Sequence, residues 1–88
     1  MHVIPEEAEV IYFGFELELS IDSQLPVEFI WFIDGHQTYS SLEPFNEGYI
    51  TASLNRLDLG MPEFKNGLYE VKAFSNKEFL TSARFKVE

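Results

Sequence analysis

The residues best suited to chemistry are few in this 88-residue sequence, and most of them follow one predicted turn. His36 comes directly after an Asp34-Gly35 dipeptide, and Glu43 stands seven positions further on. A metal site would have to combine His36 with the carboxylate of Asp34 or Glu43. The only other histidine, His2, lies near a chain start that we expect to be mobile. Polar turn residues account for the same pattern, so we predict no metal and no cofactor.

The sequence also offers a weak candidate for nucleophilic catalysis. Ser40 and Ser41 lie close to His36, but no nucleophile-elbow motif accompanies them, and serines are expected on a short polar strand. The fifteen carboxylates make chance pairs unavoidable, and an 88-residue chain rarely forms the cleft that a glycosidase pair requires. The chain has no cysteine and no glycine-rich phosphate loop. We therefore predict that this protein is not an enzyme.

Length and composition indicate one globular domain spanning residues 1–88, since 45% of the residues are apolar and nine are Phe. The absence of cysteine rules out disulfides. Met1 is followed by HVIPEEAE, which has neither the basic start nor the apolar run of a signal peptide. No stretch approaches the roughly 18 apolar residues of a membrane span. We expect a cytoplasmic protein if Met1 is the native start, and the compartment is otherwise open.

The balance of charged residues indicates which kinds of molecule this protein is suited to bind. Six basic residues against fifteen acidic ones give a formal net charge of −9. Such a surface repels phosphates, so direct binding to nucleic acid or to an anionic membrane is disfavoured. A basic protein partner, or simple solubility, fits this charge better.

Alternation of apolar and polar residues with period two dominates the chain and predicts strands. The segment FGFELELSID at 13–22 places Phe13, Phe15, Leu17, Leu19 and Ile21 on one face. VEFIWFID at 27–34 does the same with Val27, Phe29, Trp31 and Ile33. Asp34-Gly35 then suits a tight hairpin turn, from which a short strand returns over 36–41.

The rest of the chain continues this pattern. We expect a loop at 42–48, a strand at 49–54, a connection at 55–67, and strands at 68–74 and 79–87. The inward residues of these three strands are predicted to be Ile50, Ala52, Leu54, Tyr69, Val71, Ala73, Phe79, Ala83, Phe85 and Val87. The connection at 55–67 is longer than a hairpin needs, which favours a crossover between two sheets. The prediction is an all-β, antiparallel two-sheet sandwich of about seven strands, with a small closed barrel as the alternative.

Two motifs resemble the immunoglobulin-like and fibronectin type III-like sandwiches, especially their cysteine-free bacterial or phage versions. FIWFIDG at 29–35 looks like the third strand of that family, whose Trp fills the core between the sheets. NGLYEVKAF at 66–74 resembles its tyrosine corner, in which the Tyr hydroxyl bonds to nearby backbone. FLTSARFKVE then looks like the last strand. The resemblance implies a binding or spacer module and does not identify a ligand.

The resemblance also implies that three of these strands are neighbours in one sheet, and this places their outward side chains on a common face. We expect that face to have an apolar centre and a charged rim, which is the anatomy of a protein interface. Its predicted protein-binding residues are Ile30, Phe32, Leu68, Phe74 and Leu80, with Lys72 and Arg84 at the rim. The leading hypothesis is therefore a non-enzymatic interaction module whose partner is another protein, possibly a second copy of this chain.

A second hypothesis uses the opposite sheet. Glu16 and Glu18 point outward from the first long strand and present a line of negative charge about 7 Å apart. An acidic face of this kind is typical of small intracellular inhibitors that mimic nucleic acid, as in phages. A solvated sheet face explains the same residues. A structural spacer within a longer surface protein is the third possibility.

Overall fold

The computed structural model describes residues 2–16, 26–44 and 49–88, and these form seven strands and no helix. The strands are β1 (His2–Ile4), β2 (Val10–Glu16), β3 (Val27–Ile33), β4 (His36–Glu43), β5 (Tyr49–Asn55), β6 (Gly67–Ser75) and β7 (Glu78–Val87). The all-β prediction is confirmed. The predicted continuation of β2 through Leu17, Leu19 and Ile21, together with Glu18, lies outside the described residues.

The strands form two sheets, as predicted. The larger sheet has the order β1-β7-β6-β3-β4, and β2 and β5 pair in a second, two-stranded sheet. The chain passes from the small sheet to the large one between β5 and β6, which confirms the predicted crossover. Backbone hydrogen bonds tie this crossover to the segment after β1, because Arg56 N donates to Glu9 O and Phe64 N to Glu6 O.

The core draws on both sheets because alternate residues of each strand face it. Trp31, Phe29 and Val27 of β3 are fully buried, as are Tyr69 and Val71 of β6. Ile50, Ala52 and Leu54 of β5 close the core from the small sheet. These sequence-predicted inward positions are confirmed. Phe64 of the crossover is also fully buried, at 6.3 Å from the Tyr69 ring, although no periodic pattern marks it in the sequence.

Two-residue turns set the register of both hairpins in the large sheet. Asp34 and Gly35 join β3 to β4 with φ values of 50° and 84°, and Asn76 and Lys77 join β6 to β7 with φ values of 49° and 68°. Turns with two positive φ angles twist in the same sense as the strands they connect, which keeps the hairpins paired.

One strand was not expected. His2–Ile4 runs parallel to the end of β7, with His2 beside Phe85 and Ile4 beside Val87. The prediction of a mobile start at His2 is wrong for this segment, and the sandwich is not purely antiparallel. Three residues are too few for alternation to reveal a strand, and the pairing depends on the exposed edge of a strand some eighty positions away.

Candidate interaction surface

The candidate surface is the outer face of the five-stranded sheet, and its outward side chains come mainly from β3 and β6. Ile30 and Phe32 alternate with the buried residues of β3 and are half-buried. On β6, the outward residues are Leu68, Glu70, Lys72 and Phe74. The structure therefore places all but one of the predicted protein-binding residues on this face, the exception being Leu80.

The middle of this face carries charged residues. The strand register puts Lys72 beside Ile30 and Glu70 beside Phe32. Arg84 Nε lies 2.9 Å from Glu70 Oε2, and Lys72 Nζ lies 3.9 Å from Glu70 Oε1. The same ammonium group stands 5.1 Å from the centroid of the Phe32 ring, which is within the range of a cation–π interaction.

The centre of this face is therefore mixed, with Ile30 and Phe32 beside Lys72 and Glu70, rather than apolar with the charges confined to a rim. β6 lies in the middle of the sheet, and its outward residues run Leu68, Glu70, Lys72, Phe74, so the two charges fall between the two apolar residues. Apolar surface is therefore not continuous along β6, although Ile30 and Phe32 of β3 lie beside its two charges. Leu68 stands at one end, and Phe74 stands at the other.

Leu80 and Phe79 each lie on the face of the sheet opposite to the one predicted. The pairing of β6 with β7 shifts between Ala73 and Phe74, so that Phe74 pairs with Phe79 while Ala73 pairs with Thr81. Leu80 is the extra residue of this bulge and packs against the core, whereas Phe79 is 55% exposed. One inserted residue reverses the alternation, because side chains change sides at every step along a strand.

Three side chains form what we call the end patch: Leu42, Phe74 and Phe79. Leu42 is 66% exposed, and the Phe74 and Phe79 rings pack edge to face at 5.8 Å. Leu42 and Phe74 flank Glu28 from either side, because both pair with it in the sheet. Between them lies an open cavity of about 320 Å³, lined by Pro26, Glu28, Leu42, Phe74, Asn76 and Lys77.

Sequence reasoning missed two members of the end patch. Leu42 was assigned to a loop, because the predicted strand ended at residue 41, whereas β4 continues to Glu43. Phe79 was assigned to the core for the reason given above. Only Phe74 was placed correctly, and its signal was the uninterrupted alternation of β6.

The distribution of charge distinguishes this face from the rest of the molecule. Four of the six basic residues and only two of the fifteen acidic residues lie within residues 67–87, so this hairpin carries +2 and the remainder of the chain −11. Lys77, Arg84 and Lys86 are exposed, and Lys72 is half-buried on the outer face. The β6–β7 hairpin is therefore basic on an otherwise acidic protein, and the end patch itself adjoins both Lys77 and the acidic residues Glu28 and Glu78.

The predicted acidic face is described only in part. Glu16 ends β2 as an exposed residue beside Tyr49, and Thr51 and Ser53 of β5 are exposed on the same sheet as predicted. Glu18 lies outside the described residues. Glu7 and Glu9, in the segment before β2, are also exposed.

Asp34, the first candidate for chemistry, has a structural contact in the turn. Its Oδ1 accepts a hydrogen bond from Leu68 N at 3.0 Å, and its own N donates to Leu68 O at 2.8 Å. Gly67 permits this approach, because a Cβ there would lie 2.8 Å from Asp34 Oδ2. Within the described residues, no group of three or more His, Cys, Asp or Glu side chains is arranged to hold a metal ion.

Tyr69 makes the hydrogen bond expected of a tyrosine corner. Its hydroxyl donates to the carbonyl oxygen of Lys65 at 2.7 Å, while its ring is fully buried. Burial raises the pKa of the Tyr69 hydroxyl above its ordinary value of 10.0, and the negative charge of Asp34 raises it further. The phenol is therefore neutral at physiological pH and serves to anchor the start of β6.

Two comparisons with known proteins found no match for this chain, since no protein-family model and no curated protein matches it. In the described part of the chain, no helix is long and apolar enough to cross a membrane.

Proposed function

We propose that this chain is an immunoglobulin-like sandwich that acts as a non-enzymatic protein-binding module. The immunoglobulin-like assignment is supported by a buried Trp31 on the third strand and by the Tyr69 hydrogen bond at the start of the sixth. The separation of β2 and β5 from the remaining strands is consistent with the same fold.

The observation that carries the functional proposal is the exposure of the end patch. Leu42 and Phe79 are 66% and 55% exposed, and they stand on either side of Phe74 on the outer sheet face, with Glu28 between Leu42 and Phe74. Large exposed side chains that adjoin one another, rather than being scattered, are characteristic of interaction sites. Phe is also among the aromatic residues that are enriched at the centres of protein interfaces.

The charge around the end patch favours a particular partner chemistry. Lys77 and Glu28 both line the cavity, and the ammonium group of Lys72, at the next outward position of β6, pairs with Glu70. A segment with a large apolar side chain next to a carboxylate would bury that side chain between Leu42 and Phe74 and place the carboxylate near Lys77. We therefore propose an acidic, apolar protein segment as the partner.

Selection from a random peptide library displayed on phage tests this proposal. We expect the immobilised protein to enrich peptides in which Phe, Trp or Leu is flanked by Asp or Glu. The double variant Leu42→Ser, Phe79→Ser should bind a selected peptide about tenfold more weakly or worse, as measured by fluorescence anisotropy, because it loses apolar contact area.

Leu57→Ser is the matched control, since Leu57 is 69% exposed but lies in the crossover. It should bind the selected peptides with unchanged affinity. Equal binding by the double variant and the control would contradict the end patch as the site. The contrasting result is enrichment of peptides that are rich in Lys and Arg and bind the double variant as tightly as the unmodified protein. That result would favour the second candidate, an acidic inhibitor acting through Glu16 and its neighbours.

A further inference from the structure

β4 forms one edge of the five-stranded sheet, and β3 is the only strand in the described ranges that pairs with it. It is eight residues long, and His36, Gln37, Thr38, Ser40 and Leu42 are exposed. None of its residues is fully buried, whereas Ile50, Ala52 and Leu54 of β5 all are. Within the described residues β4 therefore lies at the edge of the sheet, with Tyr39 packed against the core and most of its other side chains exposed.

Apart from the bulge at Thr38, this edge lacks the features that usually prevent strand addition. Between His36 and Glu43 the sequence QTYSSL contains no charged residue and no proline. Natural edge strands are typically short or carry lysine, proline or inward-pointing charge. The opposite edge of the same sheet follows this rule, since β1 has only three residues.

We infer that β4 pairs antiparallel with β4 of a second copy of this chain, about a two-fold axis at Ser40. Two copies that each carry a net charge of −9 repel one another, so association is least unfavourable where the meeting segments are uncharged. β4 and β5 both supply such a segment, whereas β2 ends on the exposed Glu16. We favour β4 because five of its eight residues are exposed, whereas three of the seven residues of β5 are fully buried.

The strand is also complementary to itself. Thr38 has no partner in β3, because Trp31 pairs with Tyr39 and Phe32 with Gln37. With Thr38 set aside as the bulge residue, an axis at Ser40 places His36 opposite Glu43 of the second copy, and Gln37 opposite its Leu42. The two titratable groups of the strand thus meet as an imidazole and a carboxylate, at both ends of the pairing.

The resulting dimer has one continuous ten-stranded sheet. A two-fold axis perpendicular to that sheet keeps both outer faces on the same side. The two end patches then lie on one surface, so the dimer would present two copies of the site. The pairing does not involve Phe74 or Phe79, and Leu42 is the one end-patch residue that lies on the pairing strand.

Sedimentation equilibrium of three proteins tests the inference: the unmodified chain, Ser40→Lys and Ser53→Lys. Both variants add one positive charge at an exposed serine in a strand, but Ser53 is on β5. The interface is small, so the series should extend to about 1 mM protein. We expect a monomer–dimer equilibrium for the unmodified chain and for Ser53→Lys, and at least a tenfold weaker association for Ser40→Lys, whose two lysines meet at the axis.

A monomer throughout the series would overturn the inference, as would equal association of Ser40→Lys and Ser53→Lys. The single variant Phe79→Ser, which leaves β4 unchanged, separates this inference from the proposed function, since it should bind the selected peptides more weakly but dimerise like the unmodified chain. If Phe79→Ser no longer dimerises while Ser40→Lys still does, the dimer contact lies at the end patch and not at β4. Circular dichroism of each variant checks that the sandwich is intact, and slower amide exchange in β4 at high concentration provides a second, local readout of pairing.

Discussion

The side chains of Asp34 and Tyr69 act on the same short stretch of chain. The Asp34 carboxylate accepts a hydrogen bond from the amide of Leu68, and the Tyr69 hydroxyl donates one to the carbonyl of Lys65. The two bonds together fix the backbone where β6 begins. The sequence predicts a turn at Asp34 and a tyrosine corner at Tyr69. The bond from Asp34 to Leu68 joins residues 34 positions apart, and only the folded chain reveals it.

Tyr69→Phe tests the hydrogen bond and the titration together. At neutral pH we expect the variant to lose about 1 kcal/mol of unfolding free energy, the typical contribution of one hydrogen bond. The pKa of Tyr69 is raised by folding, so its contribution is complete below its ordinary pKa of 10.0 and is lost as the pH rises through the higher folded value. The stability difference between the two proteins should therefore shrink above that pH.

Urea denaturation at neutral and alkaline pH measures both effects, and Tyr12→Phe serves as the control. Tyr12 is 71% exposed, so its hydroxyl contributes no buried contact. A constant difference between Tyr69→Phe and the unmodified protein at every pH would contradict the assigned role of the Tyr69 ionisation.

At the scale of elements, the β6–β7 hairpin determines the composition of the end patch. Its turn and its bulge together bring Phe79 to the outer face beside Phe74 and turn Leu80 towards the core. Alternation in the sequence FLTSARFKV assigned Phe79 and Phe85 to one side correctly for an unbroken strand. The bulge interrupts that strand, and a single sequence gives no signal for its position.

Lys77→Gly should stabilise this hairpin. Lys77 has a φ of 68°, a left-handed conformation that is unfavourable for any residue with a Cβ. Asn-Gly is the preferred pair for such a turn, and Asn76 already occupies the first position. Glycine avoids the free-energy cost that a residue with a Cβ meets in the left-handed conformation, but it loses more conformational entropy on folding. We expect the net effect to raise the unfolding free energy by about 1 kcal/mol.

Thermal or urea unfolding provides the measurement, with Lys86→Gly as the matched control. Lys86 is an exposed lysine in β7 with no positive φ, so its replacement removes the same charge but weakens a strand. Destabilisation by both substitutions would mean that the turn conformation is not the determining factor.

At the scale of the whole molecule, charge is segregated. The hairpin of residues 67–87 carries +2, and the remainder carries −11, so the protein combines a basic hairpin with acidic surroundings. The net charge was evident from composition, and it disfavoured phosphate-bearing partners. The segregation depends on which strands are neighbours, and composition contains no such information.

Self-repulsion among the acidic residues should make stability depend on salt. We expect the unfolding free energy to increase between about 10 mM and 0.5 M NaCl, because the screening length falls from roughly 30 Å to a few ångströms. The triple variant Glu7→Gln, Glu9→Gln, Glu16→Gln, at three exposed positions, should show a shallower rise. Identical salt slopes for the two proteins would assign the effect to general salt action on apolar burial rather than to these charges.

The sequence alone determined that the chain is all-β, which positions of β3, β5 and β6 face the core, and that Asp34-Gly35 forms a turn. These properties follow from local alternation and from the backbone preferences of single residues, which act over a few positions. The tertiary structure decided the rest: the parallel pairing of β1, the bulge at Leu80, the charges at the centre of the outer face and the apolar residues at its end. Each of these depends on hydrogen-bond register between strands that are distant in the chain, and a shift of one residue in that register moves a side chain to the other face.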